Sequence, residues 1–161
     1  MTEDRKLPNA ALRTLLEAIE EVMGANGTRA VLKAGGLDRF IDHYPPNNTE
    51  MGVTFADYGA AQQAVEDFYG RRGARAMLVR IGRATFQYTL REQPAILGLA
   101  GLALKALPMG MRMKVVLDRV TKAANEDVNQ PAHIREEPDA YYFVVEECPC
   151  RWRPRHDSPA C

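Results

Sequence analysis

Apolar residues recur at helical spacing near the start of the chain and predict an amphipathic helix from about Asn9 to Met23. Charged residues occupy the opposite face of this segment. Pro8 and Asn9 suit the start of a helix, and Gly24 suits the position just after its end. We therefore expect this helix to dock on a core and to end at Gly24. Its apolar positions are Leu12, Leu15, Leu16, Ile19, Val22 and Met23.

The same periodicity predicts further helices as far as the middle of the chain. A run of two prolines and two asparagines at residues 45–48 indicates a loop between them. Thr54 suits the cap of the helix that follows this loop, and Gly70 suits its end. The predicted segments cover residues 28–36, 55–69 and 73–92.

The last of these segments has two features that remain open to interpretation. Arg80, Arg83, Gln87 and Arg91 form one polar stripe, which is either a solvated face or a ridge that recognises anions. Gly82 lies within the predicted helix, where glycine costs about 1 kcal/mol relative to alanine. We expect that this glycine allows another element to pack closely.

The most apolar stretch of the sequence runs from Pro94 to Met113 and is broken at Pro108. A membrane-spanning helix needs about 20 apolar residues, and this stretch is too short before the break. The alternatives are a core helix or the wall of an apolar cavity. Three methionines at positions 109, 111 and 113 favour the cavity, because thioether side chains adapt to irregular ligands. A second helix is expected from Met109 to about Asn125.

The period of the pattern changes to two near the end of the chain and predicts a β-hairpin. Its strands would run from His133 to Glu137 and from Ala140 to Glu147, with a turn at Pro138 and Asp139. The second strand is apolar on both faces, so we expect it inside a sheet. Helices first and strands late predict an α+β fold in which helices pack on a small antiparallel sheet.

Composition and charge narrow the possible roles. The 161 residues fit a single domain, and equal numbers of acidic and basic residues give a net charge of zero. The sequence therefore does not favour nucleic acid as a partner. The first residues lack the apolar core of a signal peptide, so a cytoplasmic location is expected.

Motifs for catalysis are not recognisable in the sequence, which carries no P-loop, GxSxG, HExxH or dinucleotide-binding fingerprint. We expect a binding protein without a cofactor and not an enzyme. Cys148, Cys150 and Cys161 are possible zinc ligands, but their spacing differs from that of paired CxxC knuckles. Thiols without a metal are the preferred interpretation.

The expected cavity lies between helices and sheet and takes an apolar small molecule. Tyr88 or Tyr142 could offer a hydroxyl to a polar head group of the ligand. The candidate lining residues are Met77, Ile81, Tyr88, Leu97, Leu104, Met109, Met113, Tyr142 and Val144.

The late part of the chain resembles the 4-vinyl-reductase domain family, whose members are also called hydrocarbon-binding proteins. The family pattern is an aromatic strand, a cysteine–proline knuckle and a short loop that ends in Pro-x-Cys. The segment from Leu7 to Gly24 is also similar to the family's opening helix. The residues that match the late pattern are Tyr142, Phe143, Cys148, Pro149, Pro159 and Cys161.

This resemblance implies an α+β domain that binds a hydrocarbon, aromatic or acyl-type ligand and pairs as a homodimer. Family members sense phenols, and others are linked to bacteriochlorophyll synthesis, which implies a tetrapyrrole vinyl reductase as a further alternative. The family normally continues with a glycine-rich helix and a cysteine-bearing strand, whereas this sequence stops at Cys161. The resemblance therefore predicts a C-terminally incomplete domain with exposed apolar surface where the last helix would dock.

Overall fold

A computed structural model of the chain describes residues 5–92, 106–153 and 155. Within these ranges the helices precede the longer hairpin, so the protein is α+β, as the sequence predicts. Short 3-10 helices cover Asp38–Phe40 and Pro149–Trp152. The main elements are β1 (Lys6–Leu7), α1 (Asn9–Ala34), β2 (Val53–Thr54), α2 (Phe55–Glu92), α3 (Met109–Glu126), β3 (Ala132–Glu137) and β4 (Ala140–Val145).

The chain divides into two compact units. The first comprises Met1–Tyr88 together with Cys148–Cys161, and the second comprises Thr89–Glu147. The first unit therefore takes its residues from both ends of the sequence, and the second unit is inserted between them.

Two glycines bend the long helices of the structure. Gly24 has φ 74° and ψ 165° within α1, and Gly70 has φ 64° and ψ 163° within α2. These angles are nearly exclusive to glycine, because a Cβ atom would clash with the backbone there. The predicted helix ends at both glycines are confirmed as breaks in helical geometry. Helix resumes directly after each glycine, so the separate predicted helices join as bent ones.

The starts of α1 and α2 are held by contacts that the sequence only partly predicts. The Asn9 N–H donates to the Glu50 carbonyl at 2.8 Å, so the proline-rich loop closes over the start of α1. At α2, the Asp57 N–H donates to Thr54 Oγ1 at 3.0 Å, and the Thr54 N–H donates to Asp57 Oδ2 at 3.1 Å. This reciprocal arrangement is a capping box, which confirms Thr54 as the cap.

Strands β1 and β2 contain two residues each and form a two-stranded sheet. The periodicity of the sequence does not predict this sheet. Lys6 pairs with Thr54, and Leu7 pairs with Val53, in antiparallel register. Leu7 and Val53 are buried, so the short ladder places the beginning of the chain in the core. Two residues per strand are too few for an alternating pattern to be recognised.

The core of the first unit takes buried apolar residues from both α1 and α2. Leu12, Leu15, Leu16 and Ile19 are buried, as predicted, whereas Val22 and Met23 near the bend are only half-buried. The largest fully buried side chain is Phe55, at the start of α2.

The C-terminal segment of the first unit is attached to α2 by a buried ion pair. The Arg153 guanidinium Nη1 lies 2.9 Å from Glu66 Oε2, and both side chains are almost fully buried, at 2% and 6% exposure. Beside this pair, the Trp152 ring packs edge-on against Phe55, with ring centroids 5.0 Å apart. A buried charge is strongly unfavourable without its partner, so each residue requires the other.

Gly59 allows the backbones of α2 and the C-terminal segment to come together. A Cβ atom at this position would lie 3.0 Å from the Pro149 carbonyl oxygen and 3.1 Å from the Arg153 nitrogen. Both are backbone atoms, which cannot move aside as a flexible side chain would. Close backbone approach is thus a condition for the Glu66–Arg153 pair.

The second unit is organised around the β3–β4 hairpin. The register runs from Ala132 paired with Val145 to Glu137 paired with Ala140, and the two-residue turn at 138–139 is where the sequence predicts it. Helix α3 packs against β3. The Asn125 side chain fixes this packing, because its amide donates to the Ala132 carbonyl at 2.9 Å and accepts from the Ala132 N–H at 3.1 Å.

Three expectations about packing are wrong. Among the described residues β4 pairs with β3 alone, and Tyr142 and Phe143 are exposed, so β4 is not an interior strand. The predicted inner face of α3 is buried only near its end, at Ala124, because the start of the helix lacks a covering element among the described residues. No described atom lies within 4 Å of a Cβ built at Gly82, so this glycine serves no close approach to another described element.

The apolar stretch that begins at Pro94 lies outside the described residues as far as position 105. In the parts of the chain that the structure covers, no helix is both long enough and apolar enough to cross a membrane.

We predict opposite effects of alanine at two glycines of the long helices. Gly24→Ala should lower the free energy of unfolding by about 1–3 kcal/mol, because alanine is strained at the backbone angles of the bend. Gly82→Ala should raise it by about 0.5–1 kcal/mol, since this exposed helical position is open. Urea unfolding of both variants measures the difference. Equal effects at the two positions would contradict the bend.

We also predict that the two ion pairs of the C-terminal segment differ in their contribution to stability. Glu66→Gln and Arg153→Met should each cost about 3–5 kcal/mol, because each removes one member of a buried ion pair. Arg155→Gln is the matched control, since the Arg155–Asp67 pair is largely exposed and should contribute less than about 1 kcal/mol. Chemical denaturation measures all three values. Similar losses in all three variants would rule out a special role for the buried pair.

Candidate functional site

The candidate site is a pocket of about 470 Å³ in the first unit. It lies between α1 and the segment that follows the first 3-10 helix, here called the 41–45 segment (residues Ile41–Pro45). A volume of this size is within the range of small-molecule sites, about 300–1,000 Å³. The lining residues are Arg13, Glu20, Ala25, Thr28, Arg29, Leu32, Ile41, Asp42, His43 and Tyr44.

The bend at Gly24 shapes this pocket. Glu20 precedes the bend, and Ala25 and Thr28 follow it, so both halves of α1 contribute to the wall. The Thr28 hydroxyl is buried and donates to the Gly24 carbonyl at 3.2 Å. A straight helix would present one continuous face, whereas the bent one provides two walls.

Three polar contacts hold the 41–45 segment against α1. The Tyr44 hydroxyl donates to Glu20 Oε2 at 2.6 Å, and the Arg29 guanidinium donates to Asp42 Oδ1 at 2.9 Å. Arg13 Nη1 donates to the Pro45 carbonyl at 3.1 Å. The segment is therefore held against α1 through Asp42, Tyr44 and Pro45.

Asp42 has an unusual backbone within this segment. Its φ is +60°, in the left-handed region that aspartate tolerates better than most residues. In this conformation Asp42 contacts Arg29. The Arg29 guanidinium binds one of the two carboxylate oxygens of Asp42.

The protonation of Tyr44 is fixed by its surroundings. Burial, and next the hydrogen bond and the negative charge of Glu20, raise the pKa of the Tyr44 hydroxyl well above its usual value near 10. At neutral pH Tyr44 therefore keeps its proton and donates it to the Glu20 carboxylate.

The two hydroxyl groups of the pocket are held in hydrogen bonds to the protein. The charged residues of the pocket are two arginines and two carboxylates, whose formal charges cancel. The Thr28 hydroxyl donates to a backbone carbonyl, and the Tyr44 hydroxyl donates to a carboxylate, so neither is arranged as an activated nucleophile. Leu32 and Ile41 give part of the wall an apolar character.

The residues predicted to line an apolar cavity occur in both compact units. Met77, Ile81 and Tyr88 belong to the first unit, where Ile81 is buried and the other two are half-buried. None of them lines the pocket of about 470 Å³. Leu97 and Leu104 lie outside the described residues. The idea of one cavity that unites all of these residues stays a prediction.

The remaining predicted residues belong to the second unit and are largely open to solvent. Met109 is 69% exposed, Met113 is 46% exposed and Tyr142 is 42% exposed, whereas Val144 is half-buried. Met111 and Phe143 are exposed as well. We call the exposed residues Met109, Met111, Met113, Tyr142 and Phe143 the apolar surface of the second unit.

The two described cysteines, Cys148 and Cys150, are not part of a recognisable metal centre. Cys148 and Cys150 are half-buried and are not joined by a disulfide, and Cys161 lies outside the described residues. Across residues 5–92, 106–153 and 155, no group of three or more His, Cys, Asp or Glu residues is placed to hold a metal ion.

The sequence did not single out the residues of the pocket. Arg13 and Glu20 belong to the charged face of the first predicted helix, for which the sequence indicates only docking on a core. Asp42 and Tyr44 lie in a loop without a motif. The one usable signal is Gly24 between two helical segments, which indicates a bend but not what the bend encloses.

Comparison of the chain with models of known protein families, with curated proteins and with solved structures finds no match.

We predict that Tyr44→Phe reduces stability at neutral pH and removes one source of alkaline instability. Because the pKa of Tyr44 is raised on folding, its contribution is complete below its unfolded pKa and declines as the pH rises above about 10. Loss of the half-buried hydrogen bond to Glu20 should cost about 1 kcal/mol at neutral pH. Urea unfolding at about pH 7 and about pH 11 tests this, with pH chosen on either side of the ordinary tyrosine pKa.

Tyr69→Phe is the control for this comparison, because Tyr69 is exposed on α2 and does not line the pocket. The control should match the unmodified protein at both pH values. If Tyr44→Phe also follows the unmodified protein at both, the Tyr44–Glu20 contact does not stabilise the fold.

Proposed function

We propose that the protein is a small-molecule-binding domain that takes an apolar ligand of the hydrocarbon, aromatic or acyl type. The observation that carries this proposal is the apolar surface of the second unit. It is the set of large exposed apolar residues of this unit, three methionines of α3 and two aromatic residues of β4. Met109 and Met113 share one face of the helix, and Tyr142 and Phe143 lie on opposite faces of the hairpin. The resemblance to the 4-vinyl-reductase domain family points to the same class of ligand.

The chemistry of this surface suits a ligand of irregular shape. Methionine side chains are flexible and polarisable, so they can adapt to different apolar molecules. Removing such surface from water contributes about 25 cal/mol per Å² before the costs of ordering the complex. The Tyr142 ring is flanked by the Arg135 guanidinium, 4.7 Å from the ring centroid, so a polar group of the ligand would also find donors there.

The same exposed side chains favour a second candidate function, which is homodimerisation without a ligand. Large exposed apolar patches are frequent where a protein meets a partner. The family resemblance also implies pairing. The two functions differ in whether a small molecule is taken up by the isolated chain.

We predict that the purified chain binds a hydrophobic dye and that the double variant Met109→Gln/Met113→Gln binds it about tenfold more weakly, equivalent to about 1.4 kcal/mol. Dye fluorescence measures the affinity, and native mass spectrometry detects any ligand that is retained. Phe86→Gln is the matched control, because Phe86 is 56% exposed on α2 and is not part of the apolar surface.

Light scattering separates the two functions. Concentration-dependent assembly without dye uptake would support the dimer and reject the ligand-binding proposal. Equal loss of dye binding in the double variant and in Phe86→Gln would show that the dye does not recognise this surface.

A further inference from the structure

The pocket at the Gly24 bend presents charges of both signs to the same small volume. Arg13 and Arg29 carry positive charge, and Glu20 and Asp42 carry negative charge. Their sum is zero, so a ligand with a single charge would gain attraction from one pair of residues and repulsion from the other. A ligand that carries both charges meets complementary groups at each end.

Three of these charged residues also keep binding capacity after their contacts with the protein. Arg29 meets the protein through one guanidinium nitrogen, at Asp42 Oδ1, so the described residues leave its other donors available. Glu20 accepts from Tyr44 through Oε2, and Asp42 accepts from Arg29 through Oδ1. The second oxygen of each carboxylate is thus available to an ammonium group.

The walls between these charges suit the carbon atoms of a small molecule. Ala25, Leu32 and Ile41 contribute apolar surface, and Leu32 is only 1% exposed as a whole residue. The contacts of Tyr44 with Glu20 and of Arg13 with the Pro45 carbonyl hold the walls in place before a ligand arrives. Such preorganisation lowers the cost of binding.

We propose that this pocket binds a small zwitterion, a molecule with one carboxylate, one ammonium group and a short apolar portion. Arg29 receives the carboxylate, and Glu20 receives the ammonium group. The site belongs to the first unit and does not depend on the function proposed for the apolar surface of the second unit.

The test compares three probes with nearly the same carbon skeleton: L-leucine, 3-methylbutylamine and 4-methylpentanoate. The first carries both charges, and each of the others carries one. In a ¹H–¹⁵N NMR titration of the full chain, leucine should shift the amide signals of Thr28, Asp42 and Tyr44 in a saturable way. We expect a Kd of about 1 mM for leucine and binding at least about tenfold weaker for each single-charge probe.

Variants at one exposed contact locate the recognition. Arg29→Gln should weaken leucine binding at least about tenfold, and Arg29→Lys should retain most of it, because lysine keeps the charge. Lys33→Gln is the matched control, since Lys33 is an exposed cation of α1 outside the pocket. Its affinity for leucine should be unchanged.

Several results would overturn the proposal. These are no saturable shift with leucine, equal affinity for the three probes, or equal weakening by Arg29→Gln and Lys33→Gln. Dye binding to the apolar surface, measured on the same samples, reports on the other proposal. It should be unaffected by Arg29→Gln.

Discussion

The buried pair of Glu66 and Arg153 is the contact on which the arrangement of the first unit depends. Its partners are 87 positions apart, and the whole second unit lies between them in the chain. Because neither charge is tolerated alone in the interior, the pair fixes the C-terminal segment on α2. Gly59 allows the backbones of α2 and the C-terminal segment to approach each other. The Phe55–Trp152 ring contact packs beside the ion pair.

The sequence predicted the helices and strands well at positions where the residue type limits the backbone angles. Gly24 and Gly70 mark breaks because only glycine readily adopts their angles, and the aromatic and β-branched residues of β4 mark a strand. The direction in which a helix continues after such a glycine depends on tertiary packing. The two-residue ladder of β1 and β2 is set by the neighbouring helix starts and leaves no periodic pattern.

The candidate site was much harder to predict than the fold. Helical spacing correctly placed Met109 and Met113 on one face of α3, but spacing cannot show whether another element covers that face. The residues of the polar pocket carry no signal in the sequence that distinguishes them. Arg13 and Arg29 resemble any solvated helix residues, and their common position becomes apparent only when the bend of α1 and the 41–45 segment are known.

The Glu66–Arg153 contact also has a consequence for the order of events during synthesis. Translation proceeds from the N-terminus at about 5–20 residues per second, so Glu66 leaves the ribosome well before Arg153. Until Arg153 is made, the Glu66–Arg153 pair cannot form, and this contribution to the burial of the Glu66 carboxylate is missing. The α1–α2 core can begin to collapse early, but the first unit is completed only after the inserted unit has been made.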